Sequence, residues 1–380
     1  MVATLGAGNE QALDESGRHP KPPATANVNP RTLMLVSADA GLQMRRDVVE
    51  ECRPCPEFLR LEQRFGVEIL DWSRTGLAGT GRSIYKSFQH ALKAVSTLRE
   101  FDVVFTDGEH IGIPLALAMC AGGLRTPHLM IAHNPTSRAK RSFLRLHPVQ
   151  SRISRILIHS ASQFGTASDV LAIPVAKLKL TAYGVDTGFW CPEAVDERAL
   201  LVAPGRDHRD HQTLATACRS FPHQVFVTGA SAHSPNAAFT KPLSWPTNFH
   251  FGTVDYIALR QLYREATLVV VPLLPGDTPA GITTVLEAMA VGKAVIASDT
   301  AGLRGVIEHG VTGLLVPPGD AAALHAAILQ LISAPYERAR LGANARKVAA
   351  ARCGLDTYCD ALAGHLQDLV RESKAAFSGK

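Results

Sequence analysis

The sequence predicts an α/β protein made of two doubly wound, Rossmann-like halves in tandem. Three observations carry this. Short apolar runs that end in small residues alternate with helical stretches along most of the chain. The alternation breaks near 184–198, where GVDTGFWCPEA has no periodicity, and then restarts. Finally, 380 residues is the length of two domains at roughly 100–200 residues each.

The elements follow in order. Residues 1–30 hold four prolines and no Phe, Trp, Tyr, Ile or Cys, so a disordered lead-in is expected there. It has no basic start followed by an apolar run, so a signal peptide is not expected. TLMLVSA (32–38) is a buried strand entering a turn at Gly41, with a helix from Arg45. VEILDW (67–72) is the second strand, and Ile84, Phe88, Leu92 and Val95 form the stripe of an amphipathic helix over 83–99. FDVVFTD (101–107) with the helix 111–123, PHLMIAH (127–133) and RILIHSA (155–161) complete the first half. The second half runs through ALLVAPG (199–205), QVFVTG (224–229), ATLVVVP (266–272), AVIASD (294–299) and GLLVPPG (313–319). Helices are expected near 210–219, 255–265, 282–291 and 321–332. Alternation of this kind means parallel sheets covered on both faces, with ligands at the carboxyl ends of the strands.

Composition narrows the function classes. Hydrophobic residues make up 46% of the chain, which excludes global disorder. The excess of 39 Lys+Arg over 34 Asp+Glu is too small to indicate nucleic-acid binding. No run reaches about 18 apolar residues, so no transmembrane helix is expected. Seven scattered cysteines suit a reducing, cytoplasmic compartment. Cys52-Arg-Pro-Cys55 lacks a second pair that would complete a zinc site.

The most specific stretch is PAGITTVLEAMAVGKAVIASDTAGLRGVIEHGVTGLLVPPGD (279–320). Gly281, Ile282, Thr283 and Thr284 open a helix whose free N–H groups and dipole suit a diphosphate. Glu287 lies one turn farther in, where a carboxylate can accept both hydroxyls of a ribose. This stretch resembles the donor-binding domain of retaining GT-B glycosyltransferases, most closely the large family 4 group. The likeness covers most of 199–350 and rests on LEAMAVGKAVIAS, Gly302 and the G-x-T-G-L-L-V-P-P-G-D string.

The resemblance implies a nucleotide-diphosphate sugar as donor and no cofactor. Glu287 matches the second glutamate of the family's Glu-x7-Glu motif; the first falls on Pro279, and Asp277, two residues earlier, could reach the same pocket. In VAPGRDHRDHQTL (202–214), Gly205 and Arg206 match the family's Gly-Arg, and Arg209 stands for its lysine. Fixed cations there stabilise a departing diphosphate. FHFGTV (249–254) resembles the loop on which the family stacks its base. His133 matches a histidine that contacts the donor sugar or the nascent leaving group. Asp107, Glu109 and His110, after the third strand, are candidates for acceptor hydroxyls, and Gly41 partly matches a glycine pair.

The resemblance implies domains at 31–190 (acceptor) and 191–355 (donor), with a helix over 356–380 packing back on the first. It also implies retention by front-face attack, steered by orientation and electrostatics. No Asp-x-Asp motif occurs, so no metal is expected. Between 110 and 168 there is no Asp or Glu, while Arg138, Lys140, Arg141, Arg145, Arg152 and Arg155 are basic. This 138–155 segment reads either as a peripheral contact with the inner face of a membrane or as a solvated or anionic-acceptor surface. Glycan, lipid-linked and small-molecule acceptors all stay open. The competing functions are an epimerase or phosphorylase on the same fold, and a non-catalytic nucleotide-sugar binder motivated by Pro279.

Overall fold

The computed structural model describes residues 29–73, 84–135, 138–205, 207–228 and 245–378. Most of the lead-in, Gly229 and Arg206 therefore lie outside the described residues.

The N-terminal half runs β1 (Thr32–Leu35), α1 (Leu42–Val49), α2 (Glu57–Phe65), β2 (Glu68–Leu70), α3 (Ile84–Val95) and β3 (Val103–Thr106). It continues with α4 (Glu109–Ala121), β4 (His128–Ala132), α5 (Arg138–Leu144), α6 (His147–Arg152), β5 (Arg155–Ile158), α7 (Ala161–Asp169) and β6 (Leu178–Leu180). The C-terminal half has β7 (Leu200–Pro204), α8 (His211–Cys218), β8 (Gln224–Thr228), β9 (Phe249–Gly252), α9 (Tyr256–Glu265) and β10 (Leu268–Val271). Then come α10 (Ile282–Val291), β11 (Val295–Ser298), β12 (Leu314–Val316), α11 (Ala321–Ser333), α12 (Pro335–Arg352) and α13 (Leu355–Ser378).

The strands form two six-stranded sheets, β2-β1-β3-β4-β5-β6 and β12-β11-β10-β7-β8-β9. Every pairing within them is parallel. The two-residue period of a strand explains the layering. Met34, Phe105, Leu129 and Leu157 pack towards α2 and α13. Leu33, Leu35 and Val104 face the opposite way, onto Ala91 and Ala94 of α3 and Ile111 and Leu115 of α4. Strands buried on both faces read as unbroken apolar runs, which is why β1, β3, β4 and β7 stand out in the sequence.

The expectation names no helix at α2, α5, α6 or α7, and two further elements depart from it. FHFGTV is no free loop: Phe249–Gly252 is the edge strand β9, paired in parallel with β8. β6 carries no sequence signal because two of its three residues are exposed.

The chain crosses between the halves twice, side by side. Val185 pairs with Gly354, and the Val185 N–H donates to the Cys353 carbonyl at 2.8 Å. Beyond that second crossing, α13 lies on the N-terminal sheet, where Leu355, Tyr358, Leu362, Leu366 and Leu369 share a core with Met34 and Phe105. Arg64 pairs with Asp360 at 2.8 Å, and Arg155 pairs with Glu372 at 2.6 Å. Arg155 is thus buried and paired, not part of an open basic face.

Candidate active site

In the C-terminal half, two strand ends and one helix start converge. Gly281 caps α10 with φ +80°, a left-handed conformation that favours glycine. An alanine Cβ there would also sit 2.9 Å from Val271 Cγ1. Gly281→Ala is expected to destabilise the protein by about 1–2 kcal/mol, read as a lower urea midpoint. The Ile282 N–H turns back to the Pro279 carbonyl at 3.2 Å, and the next amides of the first turn lack intrahelical acceptors. Thr283 is exposed at this mouth, whereas the Ile282 side chain belongs to the core, so Ile282 offers the site only its backbone.

Arg209 is placed differently from the expectation. Its guanidinium is buried against Gly205 and donates to the carbonyls of Pro204 and Asp207, both at 2.9 Å, and to Thr284 Oγ1 at 3.0 Å. It therefore ties the loop after β7 to the start of α10 and acts as a buried cation behind the helix N-terminus, not as an exposed arm. Burial lowers its pKa to about 10, which leaves it charged at neutral pH.

Glu287 is also buried, and its Oε2 accepts the Tyr263 hydroxyl at 2.9 Å. Burial raises its carboxyl to about 7, against the lowering influence of Tyr263 and Arg209. Tyr263, on α9, has no motif to announce it; only the packing of α9 against α10 brings it here.

Gly302, in the turn after β11, fixes the loop above. A Cβ at Gly302 would lie 1.7 Å from the Thr278 carbonyl oxygen, so the 278–279 backbone is seated directly on it. Asp277 is half-buried in the same loop, and its carbonyl accepts the Ser160 hydroxyl from across the cleft at 3.4 Å.

In the N-terminal half, the strand ends of β3, β4 and β5 meet. His133 is half-buried, and its Nε2 contacts the Asp107 carbonyl at 2.8 Å. A carbonyl only accepts, so Nε2 carries the proton, and in the neutral ring Nδ1 is the acceptor. The ring stacks on His159 with centroids 5.7 Å apart. The His159 Nδ1 donates to the Thr181 carbonyl at 3.3 Å, and burial lowers this histidine to about 3, so it stays neutral.

Two acceptor candidates sit deeper than expected, and one of them is corrected. Asp107 Oδ2 accepts the Ser37 amide at 2.7 Å and the Ser37 hydroxyl at 3.0 Å. Burial pushes Asp107 up to about 6. Glu109 is 1% exposed, and its carboxylate is spent on the backbone N–H groups of His133 and Asn134 and on Lys140. Glu109 has no free carboxylate oxygen left for an acceptor, whereas Asp107 is half-buried and its Oδ1 has no hydrogen-bond partner among the described residues. His110 stays half-buried beside Gly108, and Gly41 caps α1 with its N–H on Asp39 Oδ1 at 2.9 Å. Among the described residues no group of His, Cys, Asp and Glu is arranged to hold a metal. Cys55 is buried with its thiol pushed up to about 12.

Residues 245–348 match the family model of glycosyl transferases group 1, spanning β9 to α12 and with them the whole α10 site. The chain is also 28% identical over 305 residues to the D-rhamnosyltransferase WbpZ of Pseudomonas aeruginosa, covering 74% of this chain and 77% of that one. The chain is a glycosyltransferase. Its fold is GT-B: sucrose-phosphate synthase from Thermosynechococcus elongatus superposes with TM-score 0.67 at 20% identity, over 91% of the enzyme and 100% of that chain. Anabaena HepE, solved in complex with UDP-glucose, gives 0.65 at 18% identity, over 89% and 100%. In this glycosyltransferase the Glu287, Thr284 and Gly302 positions all fall inside the matched segment, whereas His133, Asp107 and Glu109 lie outside it.

Proposed function

We propose that the enzyme is a retaining, family 4-type transferase that moves a sugar from a nucleoside-diphosphate sugar to a hydroxyl acceptor without a metal. The observation that carries this reading is the α10 N-terminus, opened by left-handed Gly281 and backed by the buried Arg209 cation. Amides and a fixed cation in a low-dielectric pocket stabilise the charge that grows on a departing diphosphate. Arg206 joins them on sequence grounds, and Glu287 takes the ribose, exchanging the Tyr263 hydroxyl for those of the sugar. His133 accepts from a hydroxyl of the donor sugar through Nδ1, and Asp277 substitutes for the carboxylate that Pro279 removes.

In the transfer step the bond from the anomeric carbon to the phosphate oxygen breaks. The acceptor oxygen then bonds to that carbon on the same face, and its proton passes to the departing phosphate oxygen. Residues 31–190 would hold the acceptor and 191–355 the donor. The exposed Phe143, Arg145 and Leu146 support a membrane contact narrower than 138–155, consistent with a lipid-linked acceptor at the cytoplasmic face.

Thermal shift with UDP, GDP, ADP and their sugar conjugates tests the donor assignment. At least one nucleotide should raise the melting temperature, and a flat response across the panel overturns the reading. Transfer should survive EDTA, and the product should keep the donor's anomeric configuration by NMR. Donor binding without transfer or hydrolysis over a broad acceptor panel would instead favour the binding-only reading that Pro279 motivates.

A further inference from the structure

Glu109 opens α4 at the acceptor-side end of the N-terminal sheet, yet its side chain is withdrawn from solvent. Oε2 accepts the His133 N–H at 2.9 Å; Oε1 accepts the Asn134 N–H at 3.2 Å and also the Lys140 ammonium. Burial raises the carboxyl, but the Lys140 ammonium leads the influences that outweigh it and hold Glu109 at about 2, so it is ionised throughout the working range. Withdrawing the carboxylate of such a pair from water is expensive, and apolar packing often fills such space at no loss of stability. What the carboxylate does that packing cannot is bind two successive amides and a lysine at once. It thereby fixes the turn by which the chain leaves β4.

That turn carries His133. Its carbonyl accepts from the Gln163 amide at 3.3 Å, and its ring is held between the Asp107 carbonyl and His159. We propose that Glu109 is a positioning residue for His133, hanging the 133–134 backbone so that the imidazole keeps its Nε2–H on Asp107 and turns Nδ1 to the substrate. The inference rests on the transferase reading above only in what it says about rate; the placement of the ring stands apart from it.

Two measurements on the full chain test it. In long-range 1H–15N spectra, the His133 ring should show the single Nε2–H tautomer, and Glu109→Gln should convert this to a mixture. An unchanged His133 spectrum in that variant overturns the proposal. In kinetics, Glu109→Gln should lower kcat about tenfold to a hundredfold, with acceptor KM and nucleotide affinity within about twofold of the parent. On a His133→Ala background the same change should have no further effect. Additive losses, or a raised acceptor KM, overturn it and return Glu109 to direct acceptor binding. Should Glu109→Gln fail to fold, Lys140→Met is expected to show a smaller loss in kcat that also vanishes on the His133→Ala background. If the unaltered protein binds no nucleotide, the transferase reading fails while the spectra still decide the tautomer.

Discussion

Gly302→Ala is expected to lower sugar transfer by about a hundredfold or more while both sheets remain folded. The added methyl would lie 1.7 Å from the Thr278 carbonyl oxygen, 2.3 Å from its carbon and 3.0 Å from the Pro279 nitrogen. All three are backbone atoms, so no side chain can rotate out of the way and the loop itself must withdraw. That loop carries Asp277, feeds into the Gly281 cap and touches Ser160 on the other side of the cleft. A displacement near 1 Å at a reacting centre costs about a hundredfold in rate. The expected result is therefore a fall in kcat/KM of about a hundredfold or more and a lost thermal shift with nucleotide. The circular dichroism should be unchanged, because the turn lies outside every strand and helix. Parental kinetics in Gly302→Ala would show that the 278–279 seat does not matter to the site.

Glu287→Ala is expected to weaken nucleotide binding at least about tenfold and to lower stability by about 1–3 kcal/mol, because the buried Tyr263 hydroxyl loses its acceptor. A pH signature separates the carboxylate's charge from its packing. Its pKa in the folded chain is raised from 4.5 to about 7, so the folded state keeps a proton that the unfolded state releases. Stability from this group is full below 4.5 and is lost as the pH rises to about 7. Urea unfolding at several values between pH 4.5 and 7 should show that slope, and Glu287→Gln should flatten it. Glu109 behaves oppositely. Held at about 2 instead of 4.5, it adds stability above pH 4.5 that is lost as the pH falls towards 2. An identical pH slope in Glu287→Gln would mean that Glu287 is ionised in the folded chain.

Strands buried on both faces were legible because burial on both sides leaves a run of apolar residues with no alternation, as in LVVV of β10. The α10 site was legible for a different reason: Gly281, the threonines and Glu287 are contiguous, so one helix brings them together. What could not be read was whatever the tertiary fold decides. Arg209 and Glu287 looked like surface groups aimed at a ligand, but α9 supplies Tyr263 and the loop after β7 folds inward, so both are internal. Asp107 and Glu109 followed a strand, as ligand-binding residues do, yet they bond to Ser37, His133 and Asn134 from neighbouring strand ends. Sequence shows where the chain leaves a strand; it does not show which neighbouring strand end meets it there.

The path of α13 has a consequence for biosynthesis. One face of the N-terminal sheet is finished by Leu355, Tyr358, Leu362, Leu366 and Leu369. These are translated some 170 residues after the first crossing at Val185, counting from 185 to 355. At roughly 5–20 residues per second, that sheet waits on the order of ten seconds or more with an apolar face uncovered. The half made first is thus the half completed last. The C-terminal sheet, whose two faces are completed by Leu341, Ala345 and Ala349 of α12, closes while its predecessor is still open. On the ribosome this enzyme assembles in the reverse of the order in which it is written.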